Sequence, residues 1–216
     1  MRTRIKICGL TREADLQAAA QAGADAVGLV FYPRSKRFVA TERAAQLSRA
    51  APAWVTVTAL FVNADPGCVR EIIDAVQPHL LQFHGDETPQ ECERYGRPYM
   101  RAFRVGGPGL DSPQALARAC APYAGAAAWL FDSHSPGYGG SGLAFDHTLL
   151  SAVAEQGRPL VLSGGLGPDN VGAAVRALRP WGVDVSSGVE ESPGIKSAAR
   201  IQAFVQAVAG ADAQAA

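Results

Sequence analysis

Cys8 closes the first apolar run of the chain, Arg4 to Cys8, and Asp132 closes the sixth, Ala127 to Asp132. If both runs are strands of one closed βα barrel, a thiol and a carboxyl meet at the rim where the active sites of such barrels lie. That juxtaposition is an acid/base pair. Place in the chain decides the reading, because a free cysteine elsewhere is ordinarily a small buried hydrophobe, the role expected of Cys68, Cys92 and Cys120 in helical segments.

Glycines suggest a second kind of chemistry. Ser163-Gly164-Gly165-Leu166-Gly167-Pro168-Asp169-Asn170 leads from the seventh apolar run into a helix, and Ser186-Ser187-Gly188-Val189 follows the eighth. Glycine lets backbone approach an anion closely, and free N–H groups at a helix start carry partial positive charge. Gly164, Gly165, Ser186, Ser187 and Gly188 are therefore the expected phosphate contacts, in the position this architecture reserves for them. A third glycine-rich loop, Gly137 to Gly142, follows Asp132 and is expected to act as a closing lid with Ser141 near substrate. His84, at the end of the fourth run, is placed either to touch substrate or to hydrogen-bond within the rim.

The elements that must position these groups are legible from periodicity. Buried parallel strands are expected at Arg4–Cys8, Ala26–Phe31, Val55–Val62, Leu80–His84, Tyr99–Val105, Ala127–Asp132, Pro159–Ser163 and Gly182–Ser186. Helical spacing lies between them, at Glu13–Ala22, Thr41–Ala50, Pro66–Val76, Ser112–Cys120, Phe145–Gln156, Asn170–Leu178 and Ser197–Val208, with a shorter piece at Thr88–Tyr95. Eightfold alternation fits a closed (β/α)8 barrel or an open doubly wound sheet. The first strand lacks a following dinucleotide fingerprint, and the glycine loops cluster after strands six to eight; both features favour the α/β barrel. One domain is expected over residues 1–209, with a frayed tail over 210–216.

In the barrel, Lys6 lies two residues before Cys8 and projects from the same strand face. Strand eight neighbours strand one, so Lys6 is expected to pair with Asp184 beneath the thiol. Asp184 is alternatively placed to contact a substrate nitrogen or hydroxyl.

Composition sets the outer limits. The 216 residues, 48% of them apolar, suffice for one substantial core. Twenty basic and twenty acidic residues cancel, so no global field points to nucleic acid or a membrane surface. No segment approaches about 18 uninterrupted apolar residues, and the first nine residues have no signal-like run; a soluble cytoplasmic protein is expected. Four widely spaced cysteines, with no CxxC pair, argue against zinc knuckles and disulfides, and His79, His134 and His147 form no ligand set.

Six segments then stand together in order: Lys6-Ile7-Cys8-Gly9-Leu10-Thr11, Gly28-Leu29-Val30-Phe31, Gln82-Phe83-His84-Gly85, Gly139-Gly140-Ser141-Gly142, Ser163-Gly164-Gly165-Leu166 and Val183-Asp184-Val185-Ser186-Ser187-Gly188-Val189-Glu190. Over Lys6 to about Lys196 the chain resembles the phosphoribosylanthranilate isomerases of tryptophan biosynthesis. It departs from them at Lys36, where they usually carry proline, and at His147, where tryptophan is common. The resemblance implies a barrel that converts N-(5-phosphoribosyl)anthranilate to the deoxyribulose product without metal or organic cofactor, as a monomer or homodimer. It implies Cys8 as general base, Asp132 as general acid, and Arg37 near the anthranilate carboxylate, which a planar guanidinium fork suits. Bifunctional isomerases shared with histidine biosynthesis carry aspartate where Cys8 stands, and pentose-phosphate epimerases bring metal-binding histidines.

That chemistry makes opposite demands on the two groups. A carboxyl donates near neutrality only if its pKa is raised. An ordinary thiol, with pKa about 8.5, needs roughly 2 kcal/mol of preferential anion stabilisation to reach about 7.

Overall fold

The computed structural model describes residues 2–134, 145–154 and 156–214. Eight strands close into a parallel barrel in sequence order: β1 (Arg4–Cys8), β2 (Ala26–Val30), β3 (Thr56–Phe61), β4 (Leu80–Phe83), β5 (Tyr99–Val105), β6 (Ala128–Ser133), β7 (Leu160–Leu162) and β8 (Gly182–Val185). Closure is direct, since β1 pairs with both β2 and β8. The helices are α1 (Glu13–Ala22), α2 (Thr41–Ala50), α3 (Pro66–Val76), α4 (Pro89–Glu93), α5 (Pro113–Cys120), α6 (Ser151–Ala154), α7 (Val171–Leu178) and α8 (Ala198–Gln214).

Local chemistry explains where several helices start. Asp65 accepts a hydrogen bond from Gly67 N ahead of α3, and Ser112 accepts one from Ala115 N ahead of α5; proline follows each cap. Thr88 forms a reciprocal capping box with Glu91 at α4, which offsets the brevity of that helix.

Strand alternation sorts the apolar residues into separate groups. Residues such as Ile5, Ile7, Val27, Leu29, Phe61, Phe83 and Phe131 face the helices in the main core. Met100, Ala102, Ala128, Leu130 and Val161 form a second cluster inside the barrel, and Cys8, Val30, Leu60 and Val62 a third. Full burial of each large side chain contributes about 1.5–3 kcal/mol, so this layering rigidly fixes which residues reach the barrel mouth. Among the described residues, no helix is long and apolar enough to cross a membrane.

Three expectations are corrected, and one further element is found. The tail does not fray at Gly210: α8 continues to Gln214, because Ala211 is buried and the Asp212 carboxylate accepts from Thr3 N at 2.7 Å and Thr3 Oγ1 at 2.8 Å. The helix expected over Phe145–Gln156 is broken, since Asp146 accepts from Thr148 N and starts a 3₁₀ turn, His147–Leu150, ahead of the four-residue α6. Cys68 is exposed rather than buried, on the outer side of α3, whereas Cys92 and Cys120 are buried as expected. After β8 the chain makes an additional antiparallel hairpin, β9 (Glu190–Ser192) and β10 (Ile195–Lys196). Its Pro193-Gly194 turn, with Gly194 at φ +85°, is a turn signal in the sequence.

Candidate active site

The strand ends converge on a tight cleft of about 60 Å³ lined by Cys8, Arg37, Gln82, His84, Asp132, Ser163, Asp184 and Ser186, among others. Cys8 and Asp132, 124 positions apart in sequence terms of β1 and β6, thus face one space. Gly28, paired in register with Cys8, makes room for Cys8 and Lys6: a Cβ there would lie 2.7 Å from Cys8 Sγ and 3.2 Å from Lys6 Nζ. Only glycine leaves the thiol and the ammonium their shared volume.

Lys6 and Asp184 are register partners across the β1–β8 seam, with Nζ 2.8 Å from Oδ1 and both side chains buried. Burial opposes the Lys6 charge, yet Asp184 and the adjacent Cys8 outweigh it and lift Lys6 to about 12. The thiol behaves otherwise than the chemistry led us to expect. Burial pushes Cys8 up from its ordinary value, and the pull of Lys6 in the opposite direction does not cancel the rise. The cause is depth: desolvation disfavours the thiolate more than one already paired ammonium favours it.

Asp132 is held from two sides. Its Oδ1 accepts from Ser133 N at 2.9 Å, and Oδ2 lies 3.2 Å from His84 Nε2. His84 Nδ1 is in turn 3.1 Å from Gln82 Nε2. With the Gln82 amide donating, Nδ1 accepts, and the Nε2–H points at the carboxyl. His84 therefore hydrogen-bonds within the rim while also lining the cleft. The sequence reading quotes Gln82 within a segment but gives it no role, although it precedes His84 by two residues and so shares its inward face. Its Oε1 is buried with no partner among the described residues.

The glycine loops form a second, wider groove of about 630 Å³ beside the cleft, lined by Gly165, Leu166, Gly167, Ser187, Gly188 and the first turn of α8. Gly164 and Gly165 have φ of +85° and +62°, which a side chain would resist. A Cβ at Gly188 would overlap Leu166 O, so the two loops touch backbone to backbone. Ser186, flanked by cleft and groove, donates its hydroxyl to Cys8 O at 3.1 Å. Arg200, in the first turn of α8, also lines the groove and donates to Glu190 O. The sequence reading gives Arg200 no role, placing it only within a segment of helical spacing. Ser141 and the loop Gly137–Gly142 lie outside the described residues.

Arg37 reaches the cleft from the loop after β2, with its stem pressed on Gly9. Its Nε and Nη2 donate to Glu190 Oε1 and Oε2 at 2.8 and 2.7 Å. This partner was not anticipated. Among the described residues no three His, Cys, Asp or Glu side chains converge as a metal-holding group.

Residues 5–207 match the family described as N-(5'phosphoribosyl)anthranilate (PRA) isomerase. The chain is 63% identical over 216 residues to N-(5'-phosphoribosyl)anthranilate isomerase of Bordetella pertussis, with 98% of each sequence covered. The crystal structure of phosphoribosyl anthranilate isomerase from Thermotoga maritima superimposes with a TM-score of 0.87 at 38% identity, covering 96% of this chain and 99% of that one. A phosphoribosyl anthranilate isomerase crystallised in complex with reduced 1-(o-carboxyphenylamino)-1-deoxyribulose 5-phosphate gives a TM-score of 0.84 at 35% identity, with 96% and 99% covered. A closed barrel whose strand ends gather a thiol, a carboxyl and paired glycine loops, matched along nearly its whole length by these enzymes, belongs to the phosphoribosylanthranilate isomerase family.

Proposed function

We propose that Cys8 and Asp132 are the two proton carriers of the family's reaction, the isomerisation of N-(5'-phosphoribosyl)anthranilate to 1-(2-carboxyphenylamino)-1-deoxyribulose 5-phosphate in tryptophan biosynthesis. The substrate is an aminofuranoside, so its ring must open before the adjacent carbon becomes acidic. Asp132 donates a proton to the ring oxygen as the C–O bond breaks and the anilino nitrogen supplies the electron pair for a protonated imine. Cys8, as thiolate, then removes the proton from the neighbouring sugar carbon, and the resulting enolamine tautomerises to the ketone.

One observation carries this reading: Cys8 and Asp132 line the same cleft at the C-terminal ends of β1 and β6, next to the glycine groove. The Lys6 ammonium beside Cys8 opposes part of the rise that burial causes in the thiol, and it is itself retained by Asp184. His84 orients the Asp132 carboxyl, and Asp184 and Ser163 face the sugar. The phosphate is received by the backbone at Gly164, Gly165, Ser186, Ser187 and Gly188, with the Ser187 hydroxyl and the positive end of α8. Arg37 takes the anthranilate carboxylate.

The test is a crystal structure of this protein with the reduced product analogue bound. The expected complex has the phosphate in the glycine groove, and Cys8 Sγ and an Asp132 oxygen within contact distance of the sugar. A phosphate bound elsewhere, or either group remote from the sugar, would overturn the assignment.

A further inference from the structure

Arg37 occupies an unusual electrostatic position. Glu190 engages the guanidinium side-on, through Nε and Nη2, which leaves the edge bearing Nη1 for a second anion. A one-to-one pair of this kind is electrically neutral and would attract a further carboxylate poorly. The β9–β10 hairpin supplies a remedy. Lys196, whose side chain is fully enclosed, donates to Glu190 Oε1 at 2.9 Å and to Ser186 O at 3.0 Å. Two cations therefore share one carboxylate, and the cluster retains a net positive charge, with Arg37 lining the cleft and Lys196 enclosed behind it.

The hairpin is fastened so that this arrangement is rigid. Thr11 Oγ1 donates to Gly194 O at 2.7 Å, Lys196 N donates to Asp15 Oδ2 at 3.2 Å, and Gly194 N donates to Glu190 Oε1 at 3.1 Å. Burying an ammonium and a carboxylate carries a large desolvation penalty unless further hydrogen bonds compensate. Stability alone would be served as well by apolar residues, whereas a function that needs a fixed, positively charged guanidinium is not.

We propose that Glu190 and Lys196 are positioning residues for substrate specificity: Glu190 fixes the plane of the Arg37 fork, and Lys196 restores the positive charge that Glu190 would otherwise cancel, so that Arg37 accepts the ring carboxylate. This rests on the assignment of Arg37 to the anthranilate carboxylate. With the substrate bound, Arg37 and Lys196 balance Glu190 and the incoming carboxylate. An uncharged aromatic amine gains nothing from the network.

The test compares two ligands, the reduced product analogue and the same compound lacking the ring carboxylate, in wild type and in Lys196→Met, Lys196→Gln, Glu190→Gln and Arg37→Met. A charge-assisted hydrogen bond of this class corresponds to a preference of about tenfold or more for the carboxylated ligand in the wild type. The expected result is that this preference collapses in both Lys196 variants and in Glu190→Gln, while the ligand without carboxylate binds within about twofold of wild type. With substrate, KM rises far more than kcat falls. The proposal is overturned if the Lys196 and Glu190 variants keep the wild-type preference although Arg37→Met loses it, or if every variant weakens both ligands in proportion, as a purely structural network would. If Arg37→Met itself keeps the preference, the assignment of Arg37 fails instead.

Discussion

Lys6 Nζ lies 2.8 Å from Asp184 Oδ1 across the seam that closes the barrel, on the same inward face of β1 as Cys8. The pair therefore places an ammonium beside a thiol that burial pushes up, and the ammonium limits that rise without cancelling it. Removing the ammonium removes the interaction that lowers the thiol's pKa, so in Lys6→Met the thiol rises further. The ascending limb of kcat/KM against pH is expected to move to higher pH, and turnover at neutral pH to fall. Breaking a buried pair also destabilises by about 3–5 kcal/mol, so the double variant Lys6→Met/Asp184→Asn serves as the control: it recovers stability without recovering the profile. An unchanged profile in Lys6→Met would assign the pair a structural role alone.

Asp132 and His84 should separate by magnitude. Loss of a general acid costs about 10²–10⁴ in kcat, the expectation for Asp132→Asn. His84→Asn removes only the orienting partner of Oδ2 and should cost about tenfold or less, the scale of one net hydrogen bond. Steady-state kinetics on both variants checks the order; a larger loss in the histidine variant would reverse the roles.

At Gly188 the contact between the two glycine loops leaves no room for a methyl group. Gly188→Ala must push Leu166 and Gly167 aside, with an overpacking penalty of about 1–3 kcal/mol readable by urea unfolding. Because the shifted backbone lines the groove, inorganic phosphate should compete less effectively for the site in the variant. Unaltered competition would detach the groove from phosphate binding.

Glu190 links the cluster to pH. Burial raises its carboxyl, but hydrogen bonds from Arg37 and Lys196 reverse this and hold it below its ordinary range. A carboxyl depressed on folding stabilises above its unfolded pKa of about 4.3, and that contribution is lost as pH falls through the lower folded value. In Lys196→Met much of the depression goes. The stability gap between wild type and Lys196→Met, measured by denaturant unfolding, should therefore be widest above about pH 5 and narrow towards pH 3. A gap independent of pH would contradict the linkage.

The sequence was informative wherever a period or a closed topology carried the information. Parity along β1 and closure of the barrel suffice to bring Lys6 against Asp184, and glycine spacing identifies both loops of the groove. What escaped depends on depth and on tertiary neighbours. The upward push on Cys8 follows from desolvation, which no local pattern reports. Glu190 and Lys196 sit on strands of three and two residues, too short for an alternation signal, and the Arg37 that Glu190 holds lies more than 150 positions away. The end of α8 was misread because an Ala- and Gln-rich tail resembles a frayed one, and the Asp212 contact with Thr3 has no local signature.

The proposed reaction needs two proton carriers flanking one sugar. The most direct measurement is the rate at which substrate fluorescence disappears in Cys8→Ser and Asp132→Asn, alongside the affinity of each variant for the reduced product analogue. Turnover reduced by about a hundredfold or more in both, with analogue affinity preserved within a few-fold, is the predicted result. Near wild-type turnover in either variant would contradict it.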